Sequence, residues 1–282
     1  MLLHFLQPGK LQSKKDMFSA CDFATLEHLK ELSSRRRVIK ESINQSSFIT
    51  EAIAREMFGG LTSRCLRDLQ KLEQYLQLLE NLIFHDDLEL GMTLYLHVAL
   101  LQERAIEILP ADLVQSATLF REAAGVFQHL ANGVFPSLQY AQSVEQPPEA
   151  TPSMCTVMSL VCLAKAQAVT IRKAEEKGTI VGLLAKLHYG IVELLGEATA
   201  ILYSNTKECK NFSLSFLEFI SSCKALHELR SQKYLAESLK IAEQVGVAIG
   251  VLSDALINAK KEVPGEESWR SIFRKEVDKS LN

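Results

Sequence analysis

The chain has 282 residues, 47% of them hydrophobic, and a formal net charge of −3. That is enough for one large domain or two small ones, and the near-neutral charge gives no global pull toward nucleic acid or an anionic membrane. With only 13 Gly and 7 Pro, the sequence lacks the turns an all-β fold needs. Leu, Ala, Glu, Lys, Gln and Arg dominate, and these are good helix formers.

Residues 1–18 are mixed and are expected to be poorly ordered; a single helical domain is expected over 19–282. Its first helix places Phe23, Leu26, Leu29, Leu32 and Ile39 on one face. A second starts near Ser46-Ser47 and stops at Gly59-Gly60. A third is capped by Thr62 or Ser63 and carries Leu66, Leu69, Leu72, Leu76, Leu79 and Ile83 at spacings of three and four. After His85-Asp86-Asp87 a helix runs from about Leu88 to Leu109, ended by Pro110. The junction at His85 to Gly91 is expected to be bent, since an unbroken helix from Thr62 to Leu109 would be about 70 Å long.

Asp112 is positioned to cap an Ala/Gly-striped helix, Ala117-Thr118-Leu119-Phe120-Arg121-Glu122-Ala123-Ala124-Gly125-Val126-Phe127-Gln128-His129-Leu130, which bends or stops near Pro136. A Pro-containing linker, 146–152, follows. Then comes an apolar helix from about Met154 to Lys177 with almost no polar face, which must therefore be covered by protein on most sides. Gly178 ends it. Further helices run from about Thr179 to Tyr203, Phe212 to Leu239 and Gln244 to Lys261. Pro264-Gly265 breaks the pattern before a short helix with Trp269, Ile272 and Phe273. Successive antiparallel helices with short turns read as a tetratricopeptide-like solenoid.

The Ala-Ala-Gly-Val-Phe-Gln-His-Leu phrase at 123–130, followed after the linker by Met-Ser-Leu-Val-Cys-Leu-Ala-Lys-Ala-Gln at 158–167, resembles a helix pair of the Bro-one domain family. The stretches Cys223 to His227 and Arg230 to Ala236 resemble that family's long helix. Gly246 to Ile249 resembles the start of the next one. Together these cover roughly 90–262, and residues 23–85 are similar to a plant-type branch. The resemblance implies an all-α solenoid that serves endosomal sorting as a scaffold. Two departures stand out. Phe84 to Glu89 joins its flanking helices directly, with no room for the family's β-hairpin. The family domain also continues beyond Asn282. Both read as deletions, one near 85–90 and one at the C-terminus.

By the same resemblance, the concave surface binds the C-terminal helix of an ESCRT-III filament subunit. Val157, Leu160, Val161 and Leu163 match the patch-bearing helix of the family. The competing assignment makes all four core. Arg35, Arg36 and Arg37 with Lys40 form the densest basic run; it reads either as a solvated face or as a weak contact with acidic lipid.

Nothing points to catalysis. There is no Gly-x-Ser-x-Gly, and Gly178 to Gly182 with Lys186 lacks phosphate-loop spacing. His85-Asp86-Asp87 splays in three directions on a helix and has no metal-ligand partner motif. His129 and His188 sit among apolar residues and read as structural. The six cysteines (Cys21, Cys65, Cys155, Cys162, Cys209, Cys223) form no CxxC pair and read as reduced thiols acting as small hydrophobes. No basic stripe with interleaved aromatics suits nucleic acid.

No cofactor, metal or small-molecule substrate is implied. Met1 to Leu6 is too short for a signal-peptide core, and no apolar run approaches the roughly 20 residues of a spanning helix. The expectation is a non-enzymatic, cytoplasmic scaffold, peripheral on endosomes. The alternative is a generic tetratricopeptide-like adaptor for another peptide, or an inactive shortened form.

Overall fold

Periodic apolar stripes on these helices are buried by laying each helix against the next. The computed structural model describes residues 27, 30–39, 41, 62–80, 87–136, 151–204, 214–261 and 275. They form α1 (30–39), α2 (Thr62–Glu80), α3 (Asp87–Ile108), α4 (Leu113–His129), α5 (Pro152–Glu176), α6 (Val181–Ser204), α7 (Leu214–Ile241) and α8 (Val245–Lys261). No strand occurs among the described residues. From α2 onward each helix packs on its predecessor and its successor, as in a solenoid. The expected helix ending at Gly59-Gly60, the terminal helix with Trp269, the 1–18 segment and His85-Asp86 lie outside the described residues. Helices α2 and α3 pack on each other, so they are not one straight helix; of the junction expected to be bent, residues 87–91 are regular helix within α3.

The boundaries follow from local chemistry. Asp112 caps α4 as expected: its carboxylate accepts from the amides of Val114 (2.9 Å) and Gln115 (3.0 Å). Thr151 caps α5, accepting from the Met154 amide at 3.3 Å, with Pro152 in the first turn, where a missing N–H costs nothing. Gly178 takes φ +66° and ends α5. Its amide bonds the Glu175 carbonyl and that of Thr179 bonds the Ala174 carbonyl, the paired closure that a left-handed residue permits. The same closure ends α7, but there the left-handed residue is Glu243, at φ 60°. Ahead of Pro136 the end of α4 widens into a π turn over Leu130–Val134, so the expected bend is a local loosening. Pro136 has no N–H to give, and its ring crowds the carbonyl four residues back.

The main core joins α2 through α7 and is built on Phe127, Phe135, Val157, Val161, Ile191 and Ile220, all almost wholly buried. Buried serines stitch consecutive helices together. Ser116 of α4 donates to the Ala105 carbonyl of α3 (2.8 Å), Ser159 of α5 to Ala124 of α4 (2.9 Å), and Ser231 of α7 to Ala185 of α6 (2.9 Å). In each case the acceptor is an alanine, whose small side chain lets the hydroxyl reach its backbone. Each bond contributes about 1 kcal/mol. A close approach of another kind fixes α3: a Cβ at Gly91 would lie 2.6 Å from Phe135 Cε1.

The candidate docking face around α5

Helix α5 lies between α4 and α6 and packs on both. It is the one described helix long and apolar enough to cross a membrane, contrary to the expectation that none would approach that length. Two thirds of its most apolar stretch is buried inside the protein, as in the core helix of a globular fold.

At about 100° per residue, Leu163 and Lys165 point to nearly opposite sides of α5. On the Lys165 side the helix faces the protein. The Lys165 ammonium donates to Gln102 Oε1 of α3 at 2.8 Å and sits 5.8 Å from the Phe120 ring centre. Burial lowers its pKa, against the raising influence of Cys162, Cys223 and Glu103. Burial pushes the Cys155 thiol up to about 12, and Cys162 and Cys223 to about 11 against the opposing pull of Lys165. Such thiols carry essentially no thiolate at neutral pH and act as apolar filling.

On the other side, Leu163 is 36% exposed. Thr156, Gln167 and Thr170 are half-buried along the same face. Its flanks are low. Arg121 of α4 reaches Thr170 at 3.3 Å, and the Gln167 amide donates to the Leu187 carbonyl of α6 at 3.4 Å. Gly125 on α4 has open space where a Cβ would stand, and Gly190 on α6 has only the Gln167 amide within 4 Å of that position. The result is a shallow strip across α4, α5 and α6, with one exposed leucine between two glycines.

Three of the four residues expected at a partner-facing patch are not on this strip. Val157 and Val161 are 0% and 1% exposed and Leu160 is 9% exposed. All three belong to the main core. The apolar phrase could not separate faces, because nearly every position in it is hydrophobic. The residues that frame Leu163, namely Gly125, Gln167, Thr170 and Gly190, were not singled out for a site; the Ala/Gly spacing of α4 was the available signal.

The basic run is also partly spent. Arg35 donates to Glu31 Oε1 through Nε (3.1 Å) and Nη2 (2.8 Å), and to Gln74 of α2 at 2.8 Å. Arg36 and Arg37 are exposed, and Lys40 lies outside the described residues. His129 is exposed. His188 is buried and meets His227. No group of three metal-ligating side chains occurs among the described residues.

A family model described as a BRO1-like domain matches residues 89–282. Among solved structures, an ALIX BRO1–CHMP4C complex matches with a TM-score of 0.63 at 17% identity, covering 99% of this chain and 82% of that one. ALIX in complex with the SIVmac239 PYKEVTEDL late domain matches with a TM-score of 0.62 at 17% identity, covering 90% of this chain. This chain spans 39% of the length of that ALIX chain. No curated protein matches the sequence.

Proposed function

This chain belongs to the BRO1-like domain family, and on that premise we propose that it is a non-enzymatic docking scaffold for the C-terminal helix of an ESCRT-III subunit. The observation that carries the reading is the family match over 89–282, which includes all of α4, α5 and α6. The ALIX BRO1 domain, of the same fold, is seen in complex with CHMP4C. The strip around Leu163 is the surface that suits such a partner. An amphipathic helix laid there places an apolar side chain on Leu163, and the glycines at 125 and 190 let its backbone come close. Of the residues first assigned to the patch, Leu163 is retained as the partner contact; Val157, Leu160 and Val161 support it from beneath.

The working place that follows is the cytoplasmic side of endosomal membranes. The basic run Arg35, Arg36, Arg37 and Lys40 supplies a weak peripheral contact with acidic lipid, each charge worth about 1 kcal/mol near such a surface. The test is binding of a fluorescent C-terminal peptide of CHMP4C to the full chain. Saturable binding that Leu163→Asp weakens at least tenfold, with the melting temperature unchanged, supports the reading. Absence of binding by a folded chain favours the alternative, an adaptor for another peptide.

A further inference from the structure

Helices α5, α6 and α7 converge on a cluster that the docking face does not use. His188 of α6 is almost wholly buried, and its Nδ1 lies 2.9 Å from Nδ1 of His227 on α7. The ring centres are 5.1 Å apart. Tyr234 of α7 stacks on the His188 ring, with ring centres 5.5 Å apart and an interplanar angle of 14°. The Tyr234 hydroxyl donates to Glu175 Oε1 of α5 at 2.8 Å, and that same oxygen lies 3.8 Å from His188 Nε2.

This geometry limits how many protons the pair can hold. Between the two Nδ1 atoms there is room for one hydrogen. With both rings neutral, one donates and the other accepts. The carboxylate of Glu175 near Nε2 favours a proton on that atom of His188, so His227 is the Nδ1 donor. One added proton leaves the shared bond in place. A second sets two N–H groups against each other at 2.9 Å and puts two charges in a buried site. Separated rings have no such limit, and each takes up a proton below its ordinary value.

We propose that the His188–His227 contact is a proton-sensitive latch that holds α7, and α8 packed on it, against α6 at neutral pH and releases them in acid. The charged and titratable groups around it come from each packed element. Glu175 comes from α5, while Arg230, Tyr234 and, beyond it, Glu237 come from α7. On α6 itself Lys186, Tyr189 and Glu193 are exposed, and on α8 Asp254 is exposed.

The sign follows from the proton count. His227 lies well below its ordinary 6.5, at about 3, through burial first and then the neighbouring His188 and Arg230 charges. The latch is therefore complete above about pH 6.5 and is lost progressively as pH falls. One extra proton taken up on opening makes the opening constant rise about tenfold per pH unit.

The test is native-state hydrogen exchange of the full chain at pH 7, 6 and 5, corrected for intrinsic exchange, with α4 as the internal reference. The expected result is that opening of α7 and α8 relative to α4 rises about tenfold from pH 6 to pH 5. In His227→Gln, whose side-chain amide donates but does not titrate, the rise should be less than threefold. Equal pH slopes in the two proteins overturn the proposal. If His227→Gln does not fold, imidazole ¹⁵N shifts of the unmodified protein decide. The latch requires that at most one of the two rings gains a proton above pH 5. Two rings titrating independently near 6.5 overturn it.

Discussion

Two helices of similar apolar composition, α5 and α8, meet opposite fates. Helix α5 has a neighbour on each flank and buries two thirds of its most apolar stretch, including Met154, Val157, Val161 and Ile171. Among described residues α8 packs chiefly on α7, burying Ala248 and Ala255 and leaving Val245, Val247, Ile249 and Ile257 exposed. Apolar content brought both into helices, but position in the stack decides which side chains contribute to stability. An apolar residue buried in this way is worth roughly 1.5–3 kcal/mol, and an exposed one close to nothing.

The sharpest way to break this comparison is a carboxylate on each helix. Val161→Asp puts an unpaired charge at a fully buried position, which costs several kcal/mol. Domains of this size hold about 5–15 kcal/mol in total. Thermal melting is expected to show a collapsed or largely unfolded protein. Val247→Asp on α8 should change stability by only about 0.5 kcal/mol or less. A harmless Val161→Asp would mean that α5 is not the core helix.

Packing that depends on a missing side chain should be next in size. Gly91→Ala sets a methyl 2.6 Å from the buried Phe135 ring, and overpacking of that kind costs about 1–3 kcal/mol. Chemical denaturation reads it. Removing one stitch, Ser159→Ala, should cost about 1 kcal/mol by the same measurement. The smallest effect has the opposite sign. Glu243→Gly relieves a left-handed non-glycine residue and should stabilise the α7–α8 corner by up to about 1 kcal/mol.

Much of this architecture was legible from the sequence. Asp112 capped α4, Gly178 ended α5, and the Ala-Ala pair at 123–124 is buried where a neighbouring helix approaches. These signals are local, since a cap or a left-handed glycine acts within a few residues. The order of the α4 and α5 phrases also carried the family, which the match over 89–282 bears out. The face of α5 was not legible. Periodicity distinguishes sides only when polar and apolar residues alternate around the helix, and 154–164 offers almost no polar marker. What orients α5 is long-range: Lys165 reaching Gln102 on α3, and Ser159 reaching Ala124 on α4. The break between α7 and α8 was also legible, expected between Leu239 and Gln244 and found between Ile241 and Val245; that Glu243 takes the left-handed position there was not, because glutamate is an ordinary helix former.

On the proposed function, α5 carries a docking face at Leu163 and a structural core at Val161, two positions away. The direct measurement is the affinity of a CHMP4C C-terminal peptide for the full chain and for Leu163→Asp, with melting temperatures recorded alongside. The expected result is measurable binding that falls at least tenfold in Leu163→Asp, about 1.4 kcal/mol, while the melting temperature stays put. Undiminished binding by a folded Leu163→Asp would contradict it and remove this face from the interface.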